Sequence, residues 1–316
     1  MINTFDYIQK YPLRAKRLLG INYEQFTDLV NAAQKYHEEE QRKLEQSKVR
    51  IYRPGGGRKE ILSIPEQVCL CVFYLRQIPT FEVLGMLFGV SKTEANDTFH
   101  YWRKILRQII SASLLEQVED KPGDLAIVQE ILTSFKLLVD SLEQPIDRPS
   151  DNDEQQKFFS GKKRQHTKKS QVASLPKAQD LIDIKVGLPG PTADINIYRE
   201  RQINFDEQQQ FEGDKAYQGG SNITTPHKKK RRQELSEAVP VLAVPGDGEL
   251  PNPKGEQQKA ENKILSSKRI FVEHLIRIIK IFQIASQRFR LDSDVYNEII
   301  LTVCGLVRLR IGALVL

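Results

Sequence analysis

The spacing of apolar residues changes near residue 133, and this change constrains the fold more than any other feature of the chain. Upstream of it, apolar residues recur at the three- and four-residue steps of amphipathic helices. Downstream, this period is lost, and strands are predicted at 135–140, 164–174, 181–187 and 210–214. A helix is predicted at 194–201, and a long amphipathic helix at 255–287. The sequence therefore predicts an all-α region followed by an α/β domain.

The order of the downstream elements narrows the α/β class. Three strands, a crossover helix, a fourth strand and later helices suit an RNase H-like domain, in which helices flank a mixed sheet. We assign this domain to residues 130–316. A helical N-terminal region with a glycine-rich linker occupies 1–58, and a second helical domain occupies 59–118.

Composition excludes several classes of protein. Hydrophobic residues make up 40% of the chain and charged residues 28%, which is typical of a folded globular protein. The three cysteines lack the spacing of a zinc finger. The N-terminus has no apolar signal segment, and the apolar stretch 299–316 carries Arg308 and Arg310, so no membrane association is predicted. A net charge of +6 permits a nucleic-acid partner.

Residues 64–110 have the pattern of a helix-turn-helix. An apolar helix at 64–77 is followed by a short helix, a turn at Gly89, and Ser91 as the N-cap of a further helix, with Glu94 completing a capping box. In such motifs the second helix enters the major groove of DNA. The residues at its exposed start that would read bases are Lys92, Thr93 and Asn96. A plain pair of packed helices is the alternative, and the pattern does not exclude it.

A proline and three glycines interrupt the pattern at 51–58. This composition is typical of a flexible linker. It also suits an arm that lies in a DNA minor groove, with Arg53 and Arg58 as the inserted cations. The sequence does not separate these two interpretations.

Three carboxylates are the candidate catalytic residues. Asp140 ends the apolar run 135–140, Asp214 follows a glycine at the end of a predicted strand, and Glu273 lies on the long helix. Each alone has a structural explanation as a helix cap, a turn residue or part of a salt-bridged surface. Together, two strand-borne aspartates and a helix-borne glutamate suit a pair of hard cations, which cleave phosphodiester bonds by two-metal catalysis.

Two basic runs flank these carboxylates, at 162–169 and 227–232. A run of like charges is usually a solvated surface, but two runs around an acidic cluster would bring a polyanion to it. The long helix adds two arginines beside Glu273. The predicted DNA-binding residues of this region are Lys162, Lys163, Arg164, His166, Lys168, Lys228, Lys229, Lys230, Arg269 and Arg277.

From residue 138 to about residue 310 the motifs resemble those of IS5-type DDE transposases and of the related Harbinger-type DDE endonucleases. The matching segments are Asp140 with 143–149, 158–167, Pro189-Gly190 with Asp194, 213–217 and 267–274. Residues 60–110 resemble the helix-turn-helix that precedes the catalytic domain in such proteins.

The resemblance implies that Asp140, Asp214 and Glu273 bind two Mg²⁺ ions, for which Mn²⁺ could substitute, and that Asp194 is an accessory ligand. It implies a cut-and-paste transposase that binds the terminal inverted repeats of its element and joins them to target DNA. The partners would be double-stranded DNA and further copies of the chain, as a homodimer or larger assembly. The location would be the cytoplasm of a prokaryote, on the nucleoid.

Two alternatives stay open at this point. The chain could be a catalytically inactive or domesticated DNA-binding protein, in which the α/β domain is only a scaffold. It could also be an RNase H-like nuclease that performs no strand transfer.

Overall fold

The structure, a computed structural model, describes residues 3–47, 60–227 and 253–316. Three features of the sequence analysis lie outside these ranges. They are the glycine-rich segment with Arg53 and Arg58, the basic residues Lys228, Lys229 and Lys230, and most of the loop expected at 237–254.

The described chain alternates helical and sheet segments in the predicted order. The helices are α1 (Thr4–Lys10), α2 (Ala15–Leu18), α3 (Tyr23–Ser47), α4 (Ile64–Gln77), α5 (Phe81–Phe88), α6 (Lys92–Ile109), α7 (Leu114–Val118), α8 (Pro122–Thr133), α9 (Asn152–Phe158), α10 (Asp194–Arg201), α11 (Pro253–Ile281) and α12 (Tyr296–Ile311). The strands are β1 (Lys136–Pro145), β2 (Phe159–Ser160), β3 (Gln165–Ser174), β4 (Leu181–Pro189), β5 (Gln210–Glu212) and β6 (Ile223–Thr224). The predicted α/β class with a preceding helical region is confirmed.

Helices α5 and α6 form the predicted helix-turn-helix, and local chemistry fixes its turn. Gly89 ends α5 with a positive φ of 72°, a conformation that glycine adopts without strain. The Ser91 hydroxyl then accepts a hydrogen bond from the backbone N–H of Glu94 and caps α6. The reciprocal capping box expected here occurs instead at α4, between Ser63 and Glu66.

Strand β1 is the central element of a mixed sheet in the order β2-β3-β1-β5-β6, with β4 also on β3. It is antiparallel to β3 along its length and parallel to β5 only over Lys136–Leu138. The prediction that this strand ends at Asp140 is wrong, because β1 continues to Pro145 and pairs Asp140 with Val172. The strand continues because β3 supplies hydrogen-bonding partners that the local sequence does not reveal.

Helix α8 lies between the helical domain predicted at 59–118 and the first strand of the sheet. The turn before it is short, and Pro122 begins a helix at the position where proline is well tolerated. The segment between the helical region and the sheet is therefore itself helical.

One hydrophobic core joins the N-terminal helices to the sheet. It contains residues of α1 to α6, one face of β1 and β3, and the buried faces of α11 and α12. The C-terminal helix α12 packs directly on α6, where Gly305 lies against Ile110 so closely that a Cβ would come within 3.0 Å of the isoleucine side chain. The C-terminal stretch is thus a helix docked on the core, as predicted. A smaller cluster covers the other face of the sheet.

Candidate active site

The pairing of β1 with β5 brings the segments that carry Asp140 and Asp214 to the same part of the sheet. Leu138 pairs with Glu212 as the last match of these two parallel strands. Asp140 follows two residues later on β1, and Asp214 follows two residues after the end of β5. Because β5 ends at Glu212, the edge of β1 beyond Leu138 is left without a strand partner on this side among the described residues.

Burial and charge both act on Asp140. Its carboxylate accepts a hydrogen bond of 2.8 Å from the backbone N–H of Ser141. The pKa of Asp140 is raised to about 6, chiefly by burial. The hydrogen bond from Ser141 and the charge of Arg269 oppose this rise, and the negative charges of Asp214 and Glu273 add to it. All three predicted catalytic carboxylates therefore interact electrostatically at one place in the fold.

Asp214 is held by a turn. Its side chain accepts a hydrogen bond of 2.7 Å from the N–H of Ala216 and caps the short 3₁₀ turn Lys215–Tyr217. Tyr217 anchors this turn, because its ring is buried and its hydroxyl lies 2.9 Å from that of Ser141 on β1. The segment after β5 is thus fixed to the same strand that carries Asp140.

Glu273 reaches the site from α11, whose residues Val272, Leu275 and Ile279 are fully buried. The Glu273 side chain is 57% exposed and lies 3.4 Å from Arg269 in an i, i+4 ion pair. One predicted member of the apolar stripe differs, since Phe271 is 39% exposed. Glu273 is therefore placed at the cleft and is free to change partners.

The donor chemistry of this site fits hard divalent cations, because carboxylate oxygens are the ligands that such cations prefer. The three carboxylates are not closely clustered. Within the described residues, no group of three or more His, Cys, Asp or Glu side chains is close enough to hold a metal ion. The Glu273 carboxylate pairs with Arg269.

Asp194, predicted as an accessory ligand, begins α10 and interacts with a lysine. The Lys169 ammonium group lies 3.1 Å from Asp194 and 3.9 Å from Glu143, and it donates a hydrogen bond to the carbonyl of Thr192. A cavity of about 200 Å³ adjoins these groups and is lined by both carboxylates and by the basic residues Lys162, Lys163, Lys169 and Lys280. The structure therefore gives Asp194 a cationic partner beside the cleft.

The basic residues of the first predicted run divide into two groups. Lys162, Lys163 and Arg164 are exposed at the turn between β2 and β3, and half-buried His166 packs edge-on against Phe159. Lys168 is buried, hydrogen-bonded to Ser293 and positioned 4.6 Å from the ring centre of Tyr296. Its alternation along β3 turns it into the core, so this position does not support a DNA contact by Lys168.

Two further groups of predicted DNA-binding residues are accessible. Lys92 and Thr93 are exposed at the start of α6, and Asn96 is half-buried there. On α11, Arg277 is exposed and Arg269 is half-buried. The Nε of Arg269 is a buried donor that has no hydrogen-bond partner in the described part of the chain.

Sequence reasoning missed two acidic residues beside the site. Glu143 lines the cavity near Asp194, and Glu212 is buried on β5. Glu212 could have been noticed, because it precedes Asp214 by two residues at the end of a predicted strand. Glu143 lies in the segment 143–149 of the family resemblance, but no role was predicted for it.

Comparison with known proteins identifies the class. Residues 139–308 match the DDE superfamily endonuclease family, and residues 61–112 match the helix-turn-helix of DDE superfamily endonucleases. The chain therefore belongs to the DDE superfamily endonucleases and carries their upstream helix-turn-helix.

Among individual proteins, the chain is similar to a probable transposase for insertion sequence element IS702 from Microchaete diplosiphon. The two are 29% identical over 279 residues, which cover 87% of this chain and 86% of the relative. No solved structure matches the chain. Among the described helices, none combines the length and apolarity needed to cross a bilayer.

Proposed function

We propose that this protein is a DDE transposase of the IS5 type that binds the terminal inverted repeats of its element, cleaves the DNA there and joins the ends to a target. The observation that supports the proposal is that Asp140 lies on β1 and Asp214 lies two residues beyond the end of the neighbouring parallel strand β5, where the charges of Asp214, Glu273 and Arg269 all act on Asp140. The helix-turn-helix match supports end recognition, since that motif presents a helix to the major groove.

Asp140, Asp214 and Glu273 would hold two Mg²⁺ ions, with Mn²⁺ as a substitute. When bound, the ions lower the pKa of an attacking water and stabilise charge on the phosphate oxygens. The pKa of Asp140 is raised chiefly by burial, with smaller contributions from the charges of Asp214 and Glu273, and a divalent cation would favour the ionised form of this carboxyl group. Glu273 would exchange Arg269 for the ions, and this exchange frees the guanidinium group beside the scissile phosphate.

The surrounding residues would bind and orient the DNA. The unpartnered Nε of Arg269 is a donor available for a phosphate oxygen. Lys162 and Lys163 would hold the backbone on the other side of the cleft, while Lys169 keeps Asp194 and Glu143 neutralised. Water would first attack the phosphorus at the repeat boundary and break its bond to the 3′-oxygen, which leaves as a 3′-hydroxyl. That hydroxyl would then attack a phosphorus of the target, form a new phosphodiester and expel the 3′-hydroxyl of the target strand.

The proposal extends to organisation and partners. Residues 59–118 would bind the repeat and residues 130–316 would perform the chemistry. Cutting two ends together calls for at least two copies of the chain on DNA. The element would belong to a prokaryote, with the protein on the nucleoid in the cytoplasm.

The test is cleavage of a labelled duplex that carries the flanking inverted repeat, in Mg²⁺, Ca²⁺ or EDTA. Wild type is compared with Glu273→Gln and with Glu261→Gln, an exposed glutamate on the same helix that pairs with His227. We expect Mg²⁺-dependent nicking at the repeat boundary, lost in Glu273→Gln and retained in Glu261→Gln. Tight repeat binding without cleavage by wild type would instead favour an inactive DNA-binding protein.

A further inference from the structure

A second pocket lies beneath the carboxylate site, between β1, β5 and α11. It has a volume of about 210 Å³. Its walls are apolar and are formed by Leu138, Pro176 and the exposed ring of Phe271. A phenyl ring exposed to solvent beside buried aliphatic carbon is a surface on which a flat apolar group can pack.

A buried carboxylate lines the same pocket. Glu212 is 3% exposed, and its Oε1 accepts a hydrogen bond of 2.9 Å from the Lys268 ammonium group. Its Oε2 is buried and has no hydrogen-bond partner in the described chain. Buried carboxylate oxygens are rarely left without a donor, so this atom points to a ligand that carries an N–H group.

Three lysines complete the pocket. Lys136, Lys177 and Lys268 line it, and all three are exposed. Lys268 forms an ion pair with Glu212, and the ammonium groups of Lys136 and Lys177 add positive charge at the rim of the pocket. The pocket therefore offers three kinds of contact: a flat apolar wall, a hydrogen-bond acceptor inside and positive charge at the rim.

We propose that this pocket binds one unstacked nucleotide of a DNA strand, with an amino-bearing base against Phe271 and Glu212 and its phosphates on the lysines. A nucleotide is the ligand class that combines a planar ring, an exocyclic amine and an anionic phosphate. Glutamate oxygens accept hydrogen bonds from such amines, and base stacking on aromatic side chains tolerates any sequence.

The position of the pocket specifies which nucleotide. Leu138 and Glu212 precede Asp140 and Asp214 by two residues on their strands, a distance of about 7 Å. The bound nucleotide would therefore flank the scissile phosphate. This assignment rests on the proposed function, since it takes the strand to be the one that is cleaved.

The experiment uses the full chain in EDTA, so that its result does not depend on cleavage. One probe is dAMP, followed by ligand-observed NMR, beside the same nucleotide with unsubstituted purine. The other is a single-stranded oligonucleotide that contains one 2-aminopurine, whose emission rises when the base leaves its stack. The variants are Phe271→Leu and Glu212→Gln, and the control is Ile270→Leu, which alters an exposed neighbour outside the pocket.

We expect the wild type to raise 2-aminopurine emission and to bind dAMP roughly tenfold more tightly than the purine nucleotide, as for a hydrogen bond to a charged group. Phe271→Leu should weaken binding of both probes by about fivefold to a hundredfold. Glu212→Gln should reduce the preference for the amino group. Ile270→Leu should behave as wild type.

Equal behaviour of Phe271→Leu and Ile270→Leu would overturn the pocket assignment. Binding of dAMP without any change in the oligonucleotide would overturn the DNA assignment and indicate a site for free nucleotides. Loss of the proposed function gives a different pattern, because the repeat-cleavage assay would then show no dependence on Glu273 whatever these probes report.

Discussion

Two arginine–carboxylate pairs show how differently this chain uses the same chemistry. Arg308 of α12 is fully buried and binds both oxygens of Asp180, at 2.7 and 2.9 Å. Its other nitrogens donate to the carbonyls of Ser111 and Ser113 and to Gln117. Arg269 of α11 forms one contact of 3.4 Å with an exposed Glu273. The first pair is saturated and joins the helical region to the sheet, and the second can exchange partners.

The difference reflects where each region places its polar groups. Beside α12, the guanidinium group of Arg308 has an acceptor for nearly every donor. Removing Arg308 or Asp180 therefore leaves the other charge buried and unpaired. Around β1 and α11, Asp140, Glu212 and Arg269 carry raised pKa values or unpartnered atoms. A cleft with unsatisfied groups is less stable than it could be, which is common where a ligand completes the site.

The largest expected effect comes from breaking the saturated pair. Arg308→Met should lower the free energy of unfolding by about 3–5 kcal/mol, because Asp180 would remain buried without its counter-charge. Urea denaturation followed by circular dichroism measures this loss. The double variant Arg308→Met/Asp180→Leu should recover part of it, and an equal or greater loss in the double variant would contradict the assignment.

Asp140→Asn should change the free energy of unfolding in the opposite direction and stabilise the protein. The folded-state pKa of Asp140 is about 6, above its ordinary value of 3.8. Stability from this group is therefore present below pH 4 and is lost as the pH rises through 6. Its neutral replacement should raise the free energy of unfolding in EDTA at pH 7.5 by up to about 3 kcal/mol.

Thermal unfolding of the metal-free protein between pH 4 and 8 tests this sign. The Asp140→Asn advantage should shrink towards pH 4. Asp120→Asn, at an exposed position in a turn, is the control and should stay within about 0.5 kcal/mol of wild type. A destabilised Asp140→Asn protein at pH 7.5 would mean that the ionised carboxylate of Asp140 does not cost stability in the folded protein.

Lys169 is intermediate between the buried ion pair of Arg308 and the exposed ion pair of Arg269, because it is nearly buried but faces the cleft. Lys169→Met should lower the free energy of unfolding by about 1–3 kcal/mol, since Asp194 and Glu143 would then face each other without a cation. Lys157→Met, which removes an exposed pair with Glu154, is the matched control and should change stability by less than about 1 kcal/mol. Equal effects in the two variants would place Lys169 among ordinary surface lysines.

The smallest effect on stability is expected from the exposed pair. Arg269→Gln should change the free energy of unfolding by less than about 1 kcal/mol. Its DNA affinity should fall nonetheless, and the slope of log affinity against log salt should become shallower by about 1 for one lost phosphate contact. A strong loss of stability in Arg269→Gln with unchanged DNA binding would mean that Arg269, like Arg308, holds the fold together and does not bind DNA.

The sequence predicted elements whose signals are local. The predicted segments 164–174, 181–187 and 194–201 correspond to β3, β4 and α10, and Ser91 and Gly89 located the helix-turn-helix from capping and turn chemistry. Prediction from the sequence failed where pairing between distant segments sets the end of a strand. The spacing of apolar residues ended β1 at Asp140, but pairing with β3 carries the strand five residues further.

The site shows the same division between features with a local sequence signal and features set by long-range contacts. Asp140, Asp214 and Glu273 were found as residue types in a particular order, and their assignment as the catalytic set stays a prediction that the proposed assay tests. Lys168 and Lys169 looked alike in a basic run, yet alternation along β3 turns one into the core and the other towards Asp194. The open oxygen of Glu212 could not be inferred at all, because it depends on which donors the fold brings near.

The sequence by itself determined the α/β class and the helix-turn-helix, and it supplied three candidate carboxylates, because periodicity, capping and residue chemistry are properties of short segments. Only the tertiary structure decided that β5 pairs with β1 and ends two residues before Asp214, that α12 ties the helical region to the sheet through Arg308, and that a pocket lies beside the cleft. These features arise from contacts between residues distant along the chain. Burial and partner atoms there are set by packing rather than by neighbours in sequence.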